Sequence, residues 1–253
     1  MGWLRGRMAM SLSRKQSAGK TGGGSSPPVA ANLPFYGCVS VDKLRTVLDQ
    51  ALPSDVAAGL DSYRKYNRIM VKLGAHCGTT TKIAAAVFAA LSPNNDYHGN
   101  LRDAHKLLAA HRKGTPYAEF TVSTYGQNKL KAWRIVNGED PLALITANKT
   151  RSFFQNISDP EDVVPVTIDG HMLNMWRGRR ENLVGLSFPT KLYAQVAEDV
   201  RILAREHQMI PCQMQGVLWL TWRRLHGIRS TQQQELWDAD LLAARLGFHA
   251  PNS

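Results

Sequence analysis

From about Val41 to Leu225 apolar residues return every three or four positions, and runs that alternate as a half-buried strand must are few. That period commits the chain to helices packed on helices, an all-α fold. Helices are predicted over 41–52, 55–73, 79–91, 99–111, 127–136, 141–145, 150–157, 170–177, 190–207, 211–225 and 231–246. Chain punctuation agrees: Ser92-Pro93-Asn94-Asn95 and Asn137-Gly138 stop helices, and Asp159-Pro160 falls in a connection. Within 190–207, Leu192, Tyr193, Val196, Val200 and Leu203 share one face and are assigned to the core.

The chain carries 31 Lys and Arg against 20 Asp and Glu, a net charge of +11 over 253 residues. Such an excess points to a polyanionic partner, and nucleic acid fits better than membrane because no amphipathic basic segment stands out. No apolar run approaches the roughly 20 residues of a membrane span, so a soluble, cytoplasmic protein is expected. Cys38, Cys77 and Cys212 lack any C-x-x-C spacing, which gives no support to a disulfide framework, a metal site or an iron–sulfur cluster; no cofactor is expected. Residues 1–31 contain Arg5, Arg7, Arg14, Lys15 and Lys20, no acid, and a Gly/Ser/Pro run, and are read as a disordered basic tail. A linker or upstream start, with Met8 and Met10 as alternative starts, a DNA-tethering arm and an Arg-rich presequence all remain open for it. Residues 32–253 form the folded part.

The segment richest in chemistry is 149–176, where Lys149-Thr150 opens a helix and Asp169 follows twenty residues later in Ile168-Asp169-Gly170-His171. Cleaving an N-glycosidic bond builds positive charge on the sugar, and a fixed carboxylate beside the anomeric carbon stabilises it. Asp169 is the candidate. An amine held nearby can attack the same carbon and form a Schiff base that permits strand cleavage, and Lys149 is the candidate nucleophile. The plain alternatives are an N-cap for Asp169, and a solvated helix residue or phosphate contact for Lys149. His171 reads as a helix-start or supporting residue rather than a general base.

In order along 81–177, the chain resembles the helix-hairpin-helix DNA glycosylases of the endonuclease III type. The matching features are the alanine-rich run Ile83–Leu91 ending in a polar turn, a helix at 125–137, a short connection at 142–148, Lys149-Thr150, and a strand-to-helix turn at Ile168-Asp169-Gly170-His171. The resemblance implies a two-lobed fold with a helix-hairpin-helix core at 80–180, a second lobe formed by 32–79 with 181–253, and a site in the cleft between them. It implies a monomeric glycosylase on double-stranded DNA that flips a base, excises it with Asp169 and leaves an abasic site, with lyase chemistry from Lys149 as an addition. Asn94 or Asn95 would fill the gap left by the extruded nucleotide, and Asn148, Thr150, Arg151, His171, Lys129 and Arg177 would contact DNA, with Lys131, Arg134, Arg179 and Arg180 as further phosphate contacts.

Two departures bear on the substrate. The hairpin Ile145-Thr146-Ala147-Asn148 has no glycine, leaving Asn148 to take any left-handed conformation, and no four-cysteine cluster closes the chain. In its place a helical region carries Trp219 and Trp222, read as core rather than a base-stacking platform. The divergent hairpin favours an unusual modified base, including a bulky phage-type base removed in defence by a bacterial or phage-encoded enzyme. A non-catalytic DNA-binding protein and a group-transfer enzyme of hypermodified-base metabolism are the competing readings.

Overall fold

The structure, a computed structural model, describes residues 39–182 and 189–228. The tail at 1–31, Cys38 and the helix expected at 231–246 lie outside the described residues. The described chain is helical, with no strand. Its helices are α1 (Val39–Leu48), α2 (Pro53–Cys77), α3 (Thr81–Leu91), α4 (Tyr97–Arg112), α5 (Gly126–Val136), α6 (Pro141–Leu144), α7 (Asn148–Ser158), α8 (Gly170–Arg177), α9 (Thr190–Glu206) and α10 (Pro211–Leu225), with a 3-10 turn at Tyr117–Glu119.

Local chemistry explains most boundaries. Pro53 starts α2 at its first helical position, while the Asp55 carboxylate accepts from the Leu52 N–H at 3.0 Å. Thr80 caps α3 by accepting from Ile83 N, and Asp96 caps α4 by accepting from Gly99 N at 2.8 Å. α2 runs four residues past its expected end because Gly78, at φ 70°, is its true stop. Asn148 is the first residue of α7 and not a left-handed hinge; among the non-glycine residues described, Asn94 (φ 57°) and Gln208 (φ 55°) hold positive φ.

Two hydrophobic clusters form. One gathers buried faces of α2 to α7 around Phe88, Leu91, Leu101, Leu107, Ile135 and Ile157. The other gathers α1, α8, α9 and α10 around Leu44, Ile168, Met172, Val200 and Val217. The clusters reach across 79/80 and 180/181: α2 supplies Tyr63, Ile69 and Leu73 to the first, and α8 supplies Met172 and Leu173 to the second. At 25 residues α2 is roughly 37 Å long, enough to run along both. Its Val56 packs on the second cluster, and its Gly59 lies directly against α10.

No strand precedes α8. Residues 165–169 belong to no helix or strand and are held by α9: the Tyr193 hydroxyl donates to Val166 O at 2.8 Å and accepts from Ile168 N at 3.1 Å, and Arg201 Nε donates to Val164 O at 2.8 Å. One buried phenol thus satisfies two backbone groups that a ladder would have paired. It also fixes where Asp169 emerges.

Candidate active site

Residues from both clusters line one cavity of about 220 Å³. Lys149 at the start of α7, Asp169 at the start of α8 and Asn95 in the α3–α4 turn all line it. Its aromatic wall centres on Tyr66, whose ring lies 5.6 Å from those of Tyr97 and Phe153, 5.9 Å from Phe88 and 6.1 Å from Tyr63. Trp219 and Gln215 enter from α10.

The half-buried Asp169 is held at both oxygens. Oδ1 accepts from Met172 N at 2.9 Å, the cap of α8, and Oδ2 accepts from Trp219 Nε1 at 2.9 Å. Cap and cavity residue are therefore one side chain. Beneath it, Arg223 is 5% exposed, with its guanidinium 4.2 Å from the centre of the Trp219 ring. Burial pushes this arginine below its ordinary value, the charge of Asp169 pulls it back up, and its Nε has no hydrogen-bond partner among the described residues. A tryptophan braced by a buried cation thus aims its N–H at the carboxylate.

Lys149 is exposed, and no hydrogen bond or ion pair engages it among the described residues. His171, whose ring meets Trp219 edge-on at 6.4 Å, is held below the usual histidine value chiefly by burial. Asp169 opposes that shift, while Arg223, Arg180 and Lys149 add to it. His171 is therefore neutral at pH 7. His105 is also lowered, by burial and then by His76 and Lys113.

These two depressed histidines set a pH dependence. The unfolded chain takes up protons near the usual 6.5 that the folded chain refuses, so their contribution is complete above that value and lost as pH falls below it. Urea midpoints should decline from pH 7.5 to about 5.5, and His171→Gln should flatten part of that slope. A flat profile in the parent protein would refute the assignment.

The other residues singled out by sequence divide in two. Asn94 is exposed and donates to the Tyr125 hydroxyl at 2.8 Å, while Tyr125 is itself 63% exposed; Asn95 Nδ2 donates to Asp103 Oδ2 at 3.0 Å. Asn148, Lys149, Thr150 and Arg151 occupy the first turn of α7, which has no side-chain cap. Lys129 has turned inward, donating to Tyr117 O at 2.7 Å and to Phe120 O, and lying over both rings. Arg134 pairs with Glu139, and Arg177 and Arg179 share Glu181 at 2.8 Å each. A charge count cannot see such partners. Sequence reading missed Asn100, Tyr66 and Arg223 as neighbours of the site, and took Trp219 for core alone; the visible hints were the Tyr63/Tyr66 spacing on α2 and the N-D-Y-H-G-N turn.

Among the described residues no group of His, Cys, Asp or Glu is placed to hold a metal ion, and no helix is long and apolar enough to cross a membrane. Cys77 and Cys212 are free and buried. Burial pushes the Cys77 thiol up to about 11 and the Cys212 thiol up to about 12.

Fold and site define an all-helical protein with an aromatic-walled cavity that carries a fixed carboxylate and an amine. A family model matches residues 37–226, and the chain belongs to that family, the family of unknown function DUF7178. No curated protein and no solved structure matches it.

Proposed function

We propose that this protein is a DNA glycosylase of two-lobed, helix-hairpin-helix type, which takes an extruded base into the cavity and hydrolyses its glycosidic bond with Asp169. The observation that carries the reading is the meeting of Asp169 and Lys149, twenty residues apart in sequence, on one cavity with aromatic walls. Aromatic faces suit a planar heterocycle. A carboxylate locked by two N–H donors cannot swing away as charge develops on the sugar, so its stabilisation requires no rearrangement in the transition state. Double-stranded DNA is the proposed partner, supported by the +11 net charge and by the first turn of α7, whose open N–H groups stand beside Lys149 and Arg151. The α6–α7 pair joined through Ile145-Thr146-Ala147 is the proposed hairpin.

Mass spectrometry of free base released from a panel of normal, damaged and phage-modified duplexes tests the activity. An altered base without an abasic site would indicate group transfer instead. Lys149 carries a separate expectation: if its amine attacks the sugar, borohydride should trap a protein–DNA adduct with the parent chain and none with Lys149→Gln. Base release should then fall less than about tenfold in that variant, because hydrolysis needs only the carboxylate. An adduct that persists in Lys149→Gln would assign the amine elsewhere.

A further inference from the structure

Three polar side chains reach the cavity from the α3–α4 turn and the first turns of α4: Asn95, Asp96 and Asn100. Asn100 is 2% exposed, and its Nδ2 donates to Phe88 O at 3.0 Å. A backbone carbonyl can only accept, so this bond fixes which end of the amide is the nitrogen and engages one of its two N–H groups. Its Oδ1 is buried and has no hydrogen-bond partner among the described residues. Asn95 is locked in the same sense, since its Nδ2 donates to the Asp103 carboxylate, which also receives Ser123 N at 2.7 Å. Asp96 uses Oδ1 on Gly99 N and keeps its second oxygen. The wall thus carries an orphaned buried acceptor, Asn100 Oδ1, beside the second carboxylate oxygen of Asp96.

Resting on the glycosylase reading, we infer that the base held in this cavity belongs to the amino-bearing class, a cytosine- or adenine-type ring whose exocyclic amine faces Asn100 with Asn95 and Asp96 beside it. An NH2 group gives one hydrogen to each of two acceptors. A ring carbonyl at the same position sets lone pair against lone pair and leaves Asn100 Oδ1 unpaired, which is how a polar site rejects a near-isosteric competitor. Asn100 is then a specificity-determining residue, and it acts through an orientation that Phe88 O enforces.

Single-turnover base release from matched duplexes tests this: 5-hydroxymethylcytosine against 5-hydroxymethyluracil, and adenine against hypoxanthine, with the parent protein and with Asn100→Leu. The parent should release the amino member of the productive pair at least about tenfold faster. Asn100→Leu, which keeps the size and removes the acceptor, should slow that member at least tenfold and bring the ratio toward one. Equal rates, or faster release of the oxo member, would overturn the inference while leaving a glycosylase in place; release from neither pair nor from any modified duplex would take the glycosylase reading down with it. Should Asn100→Leu fail to fold by thermal melting, the ratio in the parent protein decides alone.

Discussion

Asp169→Asn is expected to lower base release on the order of 10³-fold while leaving DNA binding intact. Asparagine is as good an N-cap as aspartate, so its single oxygen can keep the bond to Met172 N and α8 stays anchored. In the proposed mechanism the lost charge is what stabilises the sugar. A second consequence is specific to this site: with the oxygen committed to Met172, the new NH2 faces the Trp219 indole N–H, donor against donor. That mismatch should cost about 1–3 kcal/mol, a melting shift of roughly 2–12 °C for a domain of this size. Trp219→Phe separates the two effects, since it keeps the charge and removes one donor, and it should reduce release far less than Asp169→Asn. If Asp169→Asn releases base at the parental rate, Asp169 is an N-cap and nothing more. Binding that stays salt-sensitive in both proteins, with no release from either, would favour a DNA-binding module.

The helices were legible because their determinants are local. A 3.6-residue apolar period, Pro53 or Pro211 at a first position, and Asp96 or Asp169 before an apolar run are read within one or two turns of chain. The site was legible only in its outline. Asp169 and Lys149 stood out as residue types at a suggestive spacing, but the indole that holds Asp169 lies fifty positions further on, in a helix whose tryptophans looked like core. Trp222 is core, at 5% exposed; Trp219, three residues earlier on the same helix, turns toward the carboxylate. Periodicity cannot separate them, because both lie on the buried side and only the neighbouring element decides which one meets a polar group. The phosphate contacts expected of Lys129, Arg134 and Arg177 illustrate the same limit from the charged side. Each charge was visible, while the carbonyls of Tyr117 and Phe120 and the carboxylates of Glu139 and Glu181 that engage them became neighbours only through folding.

Gly59→Ala should destabilise the protein by about 2–3 kcal/mol, although alanine is normally the better residue inside a helix. The sign turns on the crossing of α2 and α10. A Cβ on Gly59 would lie 2.5 Å from Val217 N and 2.6 Å from Val217 Cα, and one on Gly216 would lie 2.8 Å from Gly59 O, so each helix presses backbone against the other where side chains normally intervene. Helix propensity favours alanine by roughly 1 kcal/mol; overpacking against backbone, which cannot rotate aside, costs more than that and forces the axes apart. The melting temperature should drop by roughly 4–12 °C. Gly126→Ala is the control: it opens α5 with no atom within 4 Å of the new methyl, and should be neutral or slightly stabilising. The crossing also reaches the cavity, which Ser62 and Tyr63 on α2 and Gly216 and Trp219 on α10 line. Spreading the helices carries Trp219 away from Asp169, so Gly59→Ala should slow base release even at temperatures where the variant remains folded. A variant as stable as the parent would mean that α2 and α10 do not approach this closely, and the placement of Trp219 against Asp169 would fail with it.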